Sequence, residues 1–187
     1  MSDVVVVFHS GYGHTEVVAK AIAKGAGADL VKVNAQGTIG DADWAKLALA
    51  KAIIFGAPTY MGSLSAPFKT FMDASSKVWF TQGWKDKIAA GFTNSGSMSG
   101  DKLSSLVQLA VFAAQQGMIW VGQSEANESS AAGVSSGDPE SVNRIGSYLG
   151  LMAQSDNVAP DQTPPQGDIK TAELFGKRVA DMAKRFV

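Results

Sequence analysis

Five successive residues, Val4-Val5-Val6-Val7-Phe8, constrain this chain more than any other feature. A half-exposed strand alternates apolar and polar side chains, so an unbroken β-branched run predicts a strand covered on both faces, inside a parallel sheet. The loop His9-Ser10-Gly11-Tyr12-Gly13 follows, and then Val17, Val18, Ala21 and Ile22 recur as one helical stripe that ends near Gly25-Ala26-Gly27. The same strand, loop and helix pattern repeats. Strands are predicted at 29–33, 52–55, 88–93 and 118–121, and a helix at 41–50. Pro67 opens a helix with Phe68, Phe71 and Met72 on one face. A further helix carries Leu103, Leu106, Val107 and Ala110, and a last one carries Ala172, Phe175, Val179, Met182 and Phe186. Alternation of five strands with five helices implies right-handed crossovers and an α/β fold, a parallel sheet with helices on both faces.

The length of 187 residues, with neither an internal repeat nor a linker, points to a single domain spanning 1–187. Sixteen Lys and Arg balance 17 Asp and Glu. No charge excess is available to hold a phosphate backbone or an anionic membrane, which argues against nucleic-acid binding. Cysteine is absent, which removes thiolate metal sites and thiol catalysis, and no metal site is expected. Asp3 stands where an export signal carries basic residues, and Gln115-Gln116-Gly117 interrupts the longest apolar stretch. A cytoplasmic protein without a membrane span is therefore expected. The Ser-, Ala- and Gly-rich stretch 122–137 has no period and reads as a long loop, a kind of segment that is commonly functional.

In an open parallel sheet, ligands bind beyond the carboxyl ends of the strands. The loops after the first, third and fourth strands, the richest in Gly, Ser and Thr, are thus expected to converge. The first, Ser10 to Thr15, leads into a helix N-terminus, where free N–H groups and the helix dipole attract an anion. It holds no Lys or Arg, so a phosphate there would be held by neutral dipoles, which favours a monophosphate. The P-loop pattern occurs nowhere, and Gly11-x-Gly13-x-x-Glu16 lacks the third glycine of the dinucleotide fingerprint. A phospho-accepting receiver would need acidic residues at the ends of the first and third strands, where Phe8-His9-Ser10 and Phe55-Gly56 stand instead.

These residues resemble the flavodoxin-like family, and within it the WrbA-type NAD(P)H:quinone oxidoreductases and NADPH-dependent FMN reductases. The resemblance rests on Ser10-Gly11-Tyr12-Gly13-His14-Thr15, Gly56-Ala57-Pro58-Thr59-Tyr60-Met61-Gly62, Thr93-Asn94-Ser95-Gly96, Val78-Trp79 and Gly117-Met118-Ile119. It implies a doubly wound five-stranded sheet in the order 2-1-3-4-5. It also implies FMN as cofactor, with NAD(P)H as co-substrate. Carried over by position, Ser10, Tyr12, Gly13, His14 and Thr15 would hold the phosphate and ribityl chain. Pro58, Thr59, Tyr60, Met61 and Gly62 would contact one side of the isoalloxazine, with Thr93, Asn94, Ser95 and Gly96 opposite. Trp79, Arg144 and Tyr148 would belong to the substrate pocket; Trp84 reads as plain core.

The resemblance further implies a quinone-like small-molecule acceptor and a homodimer or homotetramer. The sequence departs from the quinone-reducing pattern in two places. No His occurs in 121–140, and Tyr60-Met61 stands where relatives carry Arg-Phe. Two readings therefore stand: a two-electron FMN-dependent oxidoreductase, or a flavodoxin-type single-electron carrier between proteins. The net charge of −1 lacks the acidic docking face that a carrier presents. A third reading, a binding module that keeps the fold without flavin, fits the intact set of three loops least.

Overall fold

A computed structural model describes residues 2–186. The first strand, β1 (Val4–Phe8), is followed by α1 (His14–Ala26), β2 (Asp29–Lys32), α2 (Asp41–Leu49) and β3 (Ala52–Tyr60). A short β4 (Ser63–Leu64) turns back antiparallel on β3 before α3 (Ala66–Ala74) and α4 (Ser76–Phe80). Then come β5 (Ile88–Ser95), α5 (Lys102–Gln115), β6 (Ile119–Trp120), β7 (Leu151–Gln154) and α6 (Gln166–Phe186). The parallel ladder runs β2-β1-β3-β5-β6, with β7 also parallel to β5. This is the flavodoxin-like order expected, with helices on both faces.

The apolar run of β1 divides its side chains between two cores. Val4, Val6 and Phe8 join α1 and α6 through Val18, Ile22, Phe175 and Val179. Val5 and Val7 join the opposite core with Phe55, Phe68, Phe71, Trp84 and Leu109. Complete burial of each such side chain stabilises by about 1.5–3 kcal/mol, which is why no polar residue interrupts β1. Glycine brings α1 and α6 together: a Cβ at Gly25 would strike the Glu173 backbone, and one at Gly176 would strike that of Ile22. The helices therefore meet backbone to backbone.

Besides the short antiparallel β4, three features depart from the expected set. Strand β3 continues past Phe55 to Tyr60, with Pro58 opposite Asn94 on β5. Proline tolerates this place because β1 ends at Phe8, opposite Gly56, so no strand lies on that side of Pro58 to need its N–H. The five-residue helix α4 was not anticipated, since too few residues separate it from α3 to show a period. The largest difference lies at the sheet edge. Ile119 and Trp120 pair with Ile88 and Ala89, while Leu151 to Gln154 pair with Phe92 to Ser95. One strand position is thus filled by two segments, and the chain between them loops out.

Trp120 Nε1 donates to Leu149 O at 2.7 Å, and the Gln123 N–H donates to Tyr148 O at 2.9 Å. These bonds close the base of the excursion, whose only helical piece is a 3-10 turn at Glu128–Ser130. Among the described residues, no helix is long and apolar enough to cross a membrane.

Candidate functional site

The carboxyl ends of β1, β3 and β5 open into a cavity of about 670 Å³. Ser10, Tyr12, His14 and Thr15 line it from the first loop, Pro58, Thr59 and Tyr60 from the end of β3, and Asn94, Ser95 and Gly96 from the end of β5. The fourth wall, Ser155 to Ala159, follows β7. Sequence reasoning missed this wall because β7 was missed. Its available signal was the apolar stretch at 149–153 ahead of the proline-containing segment, broken up by Gly150.

At the first loop, helix α1 begins without a side-chain cap: its N-cap is Gly13, at φ +95°. A Cβ there would lie 2.6 Å from Pro160 Cγ, so the loop needs glycine both for its backbone angle and for close packing under the fourth wall. Ser10 Oγ accepts from the N–H groups of Gly13 at 3.1 Å and Glu16 at 3.2 Å, which shapes the turn. His14 Nε2 donates to Val158 O at 2.8 Å, tying the helix start to the fourth wall. Tyr12 and Tyr60 meet edge to face, with ring centroids 6.1 Å apart. Burial pushes the Tyr60 hydroxyl's pKa up, with Tyr12 adding to the rise and the Gly11 N–H opposing it.

Behind β3 and β5 runs a buried hydroxyl chain. Thr93 Oγ1 donates to Ala57 O at 2.7 Å, so Thr59 Oγ1 must donate to Thr93 Oγ1, 2.8 Å away. Ser105 Oγ, at 2.8 Å, then donates to Thr59. The Thr93 hydroxyl is consumed in this chain and does not line the cavity, a correction to its expected ligand contact. Asn94 Oδ1 accepts from Ser155 Oγ at 3.0 Å, which fastens the third loop to the fourth wall.

Other expected site residues lie elsewhere. Gly13 sits beneath Pro160 rather than in the cavity wall. Met61 is fully exposed at φ +48°, and Gly62, at φ +78°, completes the tight turn into β4. Trp79 lines a separate groove of about 400 Å³ with Met72, Val107 and Val111. Tyr148 is more than half exposed on another surface recess beside Met98 and Leu103. Trp84 is core, as read.

Arg144 requires the firmest correction. It is 7% exposed, with Nε 2.8 Å from Asp168 Oδ1 and Nη2 2.8 Å from Gln154 Oε1. Its fork is spent inside the protein because a buried guanidinium needs a partner for each donor. It therefore offers a nicotinamide nothing.

The cavity lining contains no Lys or Arg, and Asp156 is its single carboxylate. An anion at the first loop would meet only backbone dipoles and neutral hydroxyls, as the loop's composition implied. Residues 9–133, more than half of the chain, match the sequence profile of the NADPH-dependent FMN reductases. The chain belongs to that family.

Two similarities over the full length place it on the flavodoxin-like, WrbA-type branch. Flavodoxin FldP of Pseudomonas aeruginosa is 44% identical, over 99% of this chain and 98% of that protein. The structure of the flavodoxin, WrbA-like protein from Agrobacterium tumefaciens is also 44% identical, with a TM-score of 0.80 and complete coverage of both chains. An NAD(P)H dehydrogenase (quinone) of Archaeoglobus fulgidus is 29% identical over 99% of each chain. As a member of this family, the chain is an oxidoreductase.

Proposed function

We propose that this NADPH-dependent FMN reductase family member holds FMN in the cavity described and passes an electron pair from NAD(P)H to a quinone or similar small aromatic acceptor. The observation that carries the reading is the cavity itself. One roomy site without a cation in its lining stands at the strand ends, with the N-terminus of α1 at one end and the ends of β3 and β5 and the segment Ser155 to Ala159 forming the other walls. Its volume lies within the range of small-molecule and cofactor sites. The donors fit a phosphate monoester, and the absence of cations in the lining disfavours a triphosphate.

When bound, FMN supplies the capacity to accept a hydride and release its electrons to a second compound. The chain's residues then bind and orient. The N–H groups of His14 and Thr15, at the start of α1, meet the phosphate; Tyr12 and Tyr60 shield the cofactor's edge from water; Asn94, Ser95 and Gly96 address the polar rim of the ring. Asp156 accepts from a hydroxyl or ring N–H. A dimer or tetramer belongs to the same reading.

The relative named flavodoxin FldP supports a second reading, a single-electron carrier between proteins. The even charge balance favours the enzyme, because a carrier docks through a strongly acidic face. The discriminating experiment loads the protein with FMN and mixes it anaerobically with NADPH and, separately, with NADH. Bleaching of the flavin absorbance, recovered on adding a soluble quinone, is expected. Bound FMN that neither nicotinamide reduces would overturn the enzyme reading in favour of the carrier.

A further inference from the structure

Lys102 is the first residue of α5, and its side chain is wholly buried. Two forces oppose that placement. The positive end of a helix dipole repels a cation, and burial strips an ammonium of its water. The chain nevertheless turns inward here through two consecutive left-handed residues, Gly100 and Asp101, both at φ +53°. Lys102 Nζ then donates to Ser95 Oγ at 2.8 Å and to Ser97 O at 2.5 Å. Ser95 lines the cavity, and its own hydroxyl proton has only a long 3.3 Å contact with Ser97 O. A ligand can compete for that weakly held proton while the oxygen is held by the ammonium.

The other buried charges behind this wall cancel. Asp168 from α6 neutralises Arg144 from the 122–150 excursion, and Gln154, bound to Arg144, donates to Gly96 O at 2.9 Å. Asp101, the residue before the helix, is exposed. Asp156 also stands beside the third loop, but it is exposed and accepts from the same Gln154 Nε2 at 2.8 Å, so the uncompensated buried charge behind that loop is the single positive charge of Lys102. Burial pulls its pKa down to about 8, with Asp168 opposing the fall and Arg144 adding to it, so the group is still largely charged at neutral pH.

We propose that Lys102 is a positioning residue for electron transfer: a buried cation that, through Ser95, favours the reduced, anionic form of the bound flavin over the oxidised, neutral form. The inference rests on the FMN reading above. Oxidised FMN plus a hydride, which is two electrons and one proton from reduced nicotinamide, becomes reduced flavin with one added negative charge, and the nicotinamide leaves oxidised. A positive charge near the third loop lowers the energy of that product. As the pH rises through about 8, reduction should bind an additional proton at Lys102, because the new anion raises the ammonium's pKa.

The test compares FMN-loaded wild type, Lys102→Met and Lys102→Arg by oxidised-FMN affinity and by two-electron midpoint potential as a function of pH. Methionine removes a costly buried ammonium that has no ion-pair partner to strand, and Ser95 Oγ can still donate to Ser97 O, so the Met variant should fold. It is expected to bind oxidised FMN within threefold of wild type. It should lose at least about tenfold in relative affinity for reduced FMN, a potential lower by about 30 mV. The Arg variant should keep the wild-type potential at neutral pH and lose the steepening near pH 8.

A Met variant whose potential matches wild type overturns the proposal, as does steepening that persists in the Arg variant. If neither variant folds, a wild-type potential with one constant slope from about pH 7 to 9.5 overturns it. Failure of wild type to take up FMN overturns the cavity reading along with this one. Bound FMN with an insensitive potential overturns this one alone.

Discussion

The two ends of the cavity are built on opposite electrostatic plans. At the α1 end, no charged side chain lines the wall, and the shape comes from glycine, a serine hydroxyl and one His-to-carbonyl bond. At the far end, the lining carries one exposed carboxylate, Asp156, and behind it stand Lys102, Arg144 and Asp168, all buried. On the proposed reading, the difference matches what each end would hold. A phosphate keeps its charge through the catalytic cycle, so fixed dipoles that need no counter-charge suffice. A flavin ring changes its charge on reduction, and a cation set behind a wall can act on that change without forming a direct ion pair.

The largest test of this contrast removes the anion at the charged end. Asp168→Ala leaves the Arg144 guanidinium buried with its principal partner gone, and unpaired buried charges cost about 3–5 kcal/mol. A urea-denaturation midpoint should fall accordingly. Replacing both partners with apolar residues, Arg144→Met with Asp168→Leu, should recover most of the loss. A cost below about 1 kcal/mol would mean that water reaches the pair and that the far end is not a low-dielectric support.

The matching change at the neutral end is Gly13→Ala. A φ of +95° is strained for alanine, and the new methyl would press on Pro160, for a cost of about 1–3 kcal/mol. Because the strain falls between the first loop and the fourth wall, FMN affinity should drop along with thermal stability. Unchanged affinity beside a lowered melting temperature would detach the loop's fold from its ligand. Ser10→Asp probes the same end by charge alone. Aspartate can accept the Gly13 and Glu16 N–H groups as serine does, so the fold should hold. Its carboxylate would face the phosphate, weakening FMN binding at least about tenfold, or 1.4 kcal/mol, as read by fluorescence titration. Normal FMN affinity would place the phosphate elsewhere.

The neutral end was legible in the sequence and the charged end was not. Val4 to Phe8 and the glycines after them declare a buried strand and a tight loop through local pattern alone. The sheet edge is half legible: the strand expected at 118–121 forms at Ile119–Trp120, but Leu151–Gln154 is too short to show a period and completes the same strand position only by pairing with β5. With β7 unseen, the wall Ser155 to Ala159 was unseen too. Lys102 misleads differently. A lysine at a helix start reads as a solvated charge, and only the left-handed turn at Gly100 and Asp101 carries it inside. Arg144 was placed in the pocket by the resemblance, and its partner Asp168, 24 residues away in sequence, could not be read from local pattern.

The smallest expected effect concerns Trp79, which the resemblance assigned to the substrate pocket. In this fold it stands on α4 over the flank of α5, in a groove whose lining shares no residue with the cavity at the strand ends. Truncating a side chain that is 43% exposed removes little core packing, so Trp79→Ala should unfold within about 1 kcal/mol of wild type. FMN affinity and the rate of flavin reduction by NADPH should both stay within threefold, since nothing in the groove reaches the loops that would hold the cofactor. Stopped-flow reduction measures this directly. A selective loss in the quinone half-reaction, with reduction by nicotinamide intact, would instead show that the acceptor enters past Trp79, and would extend the working site beyond the two ends compared above.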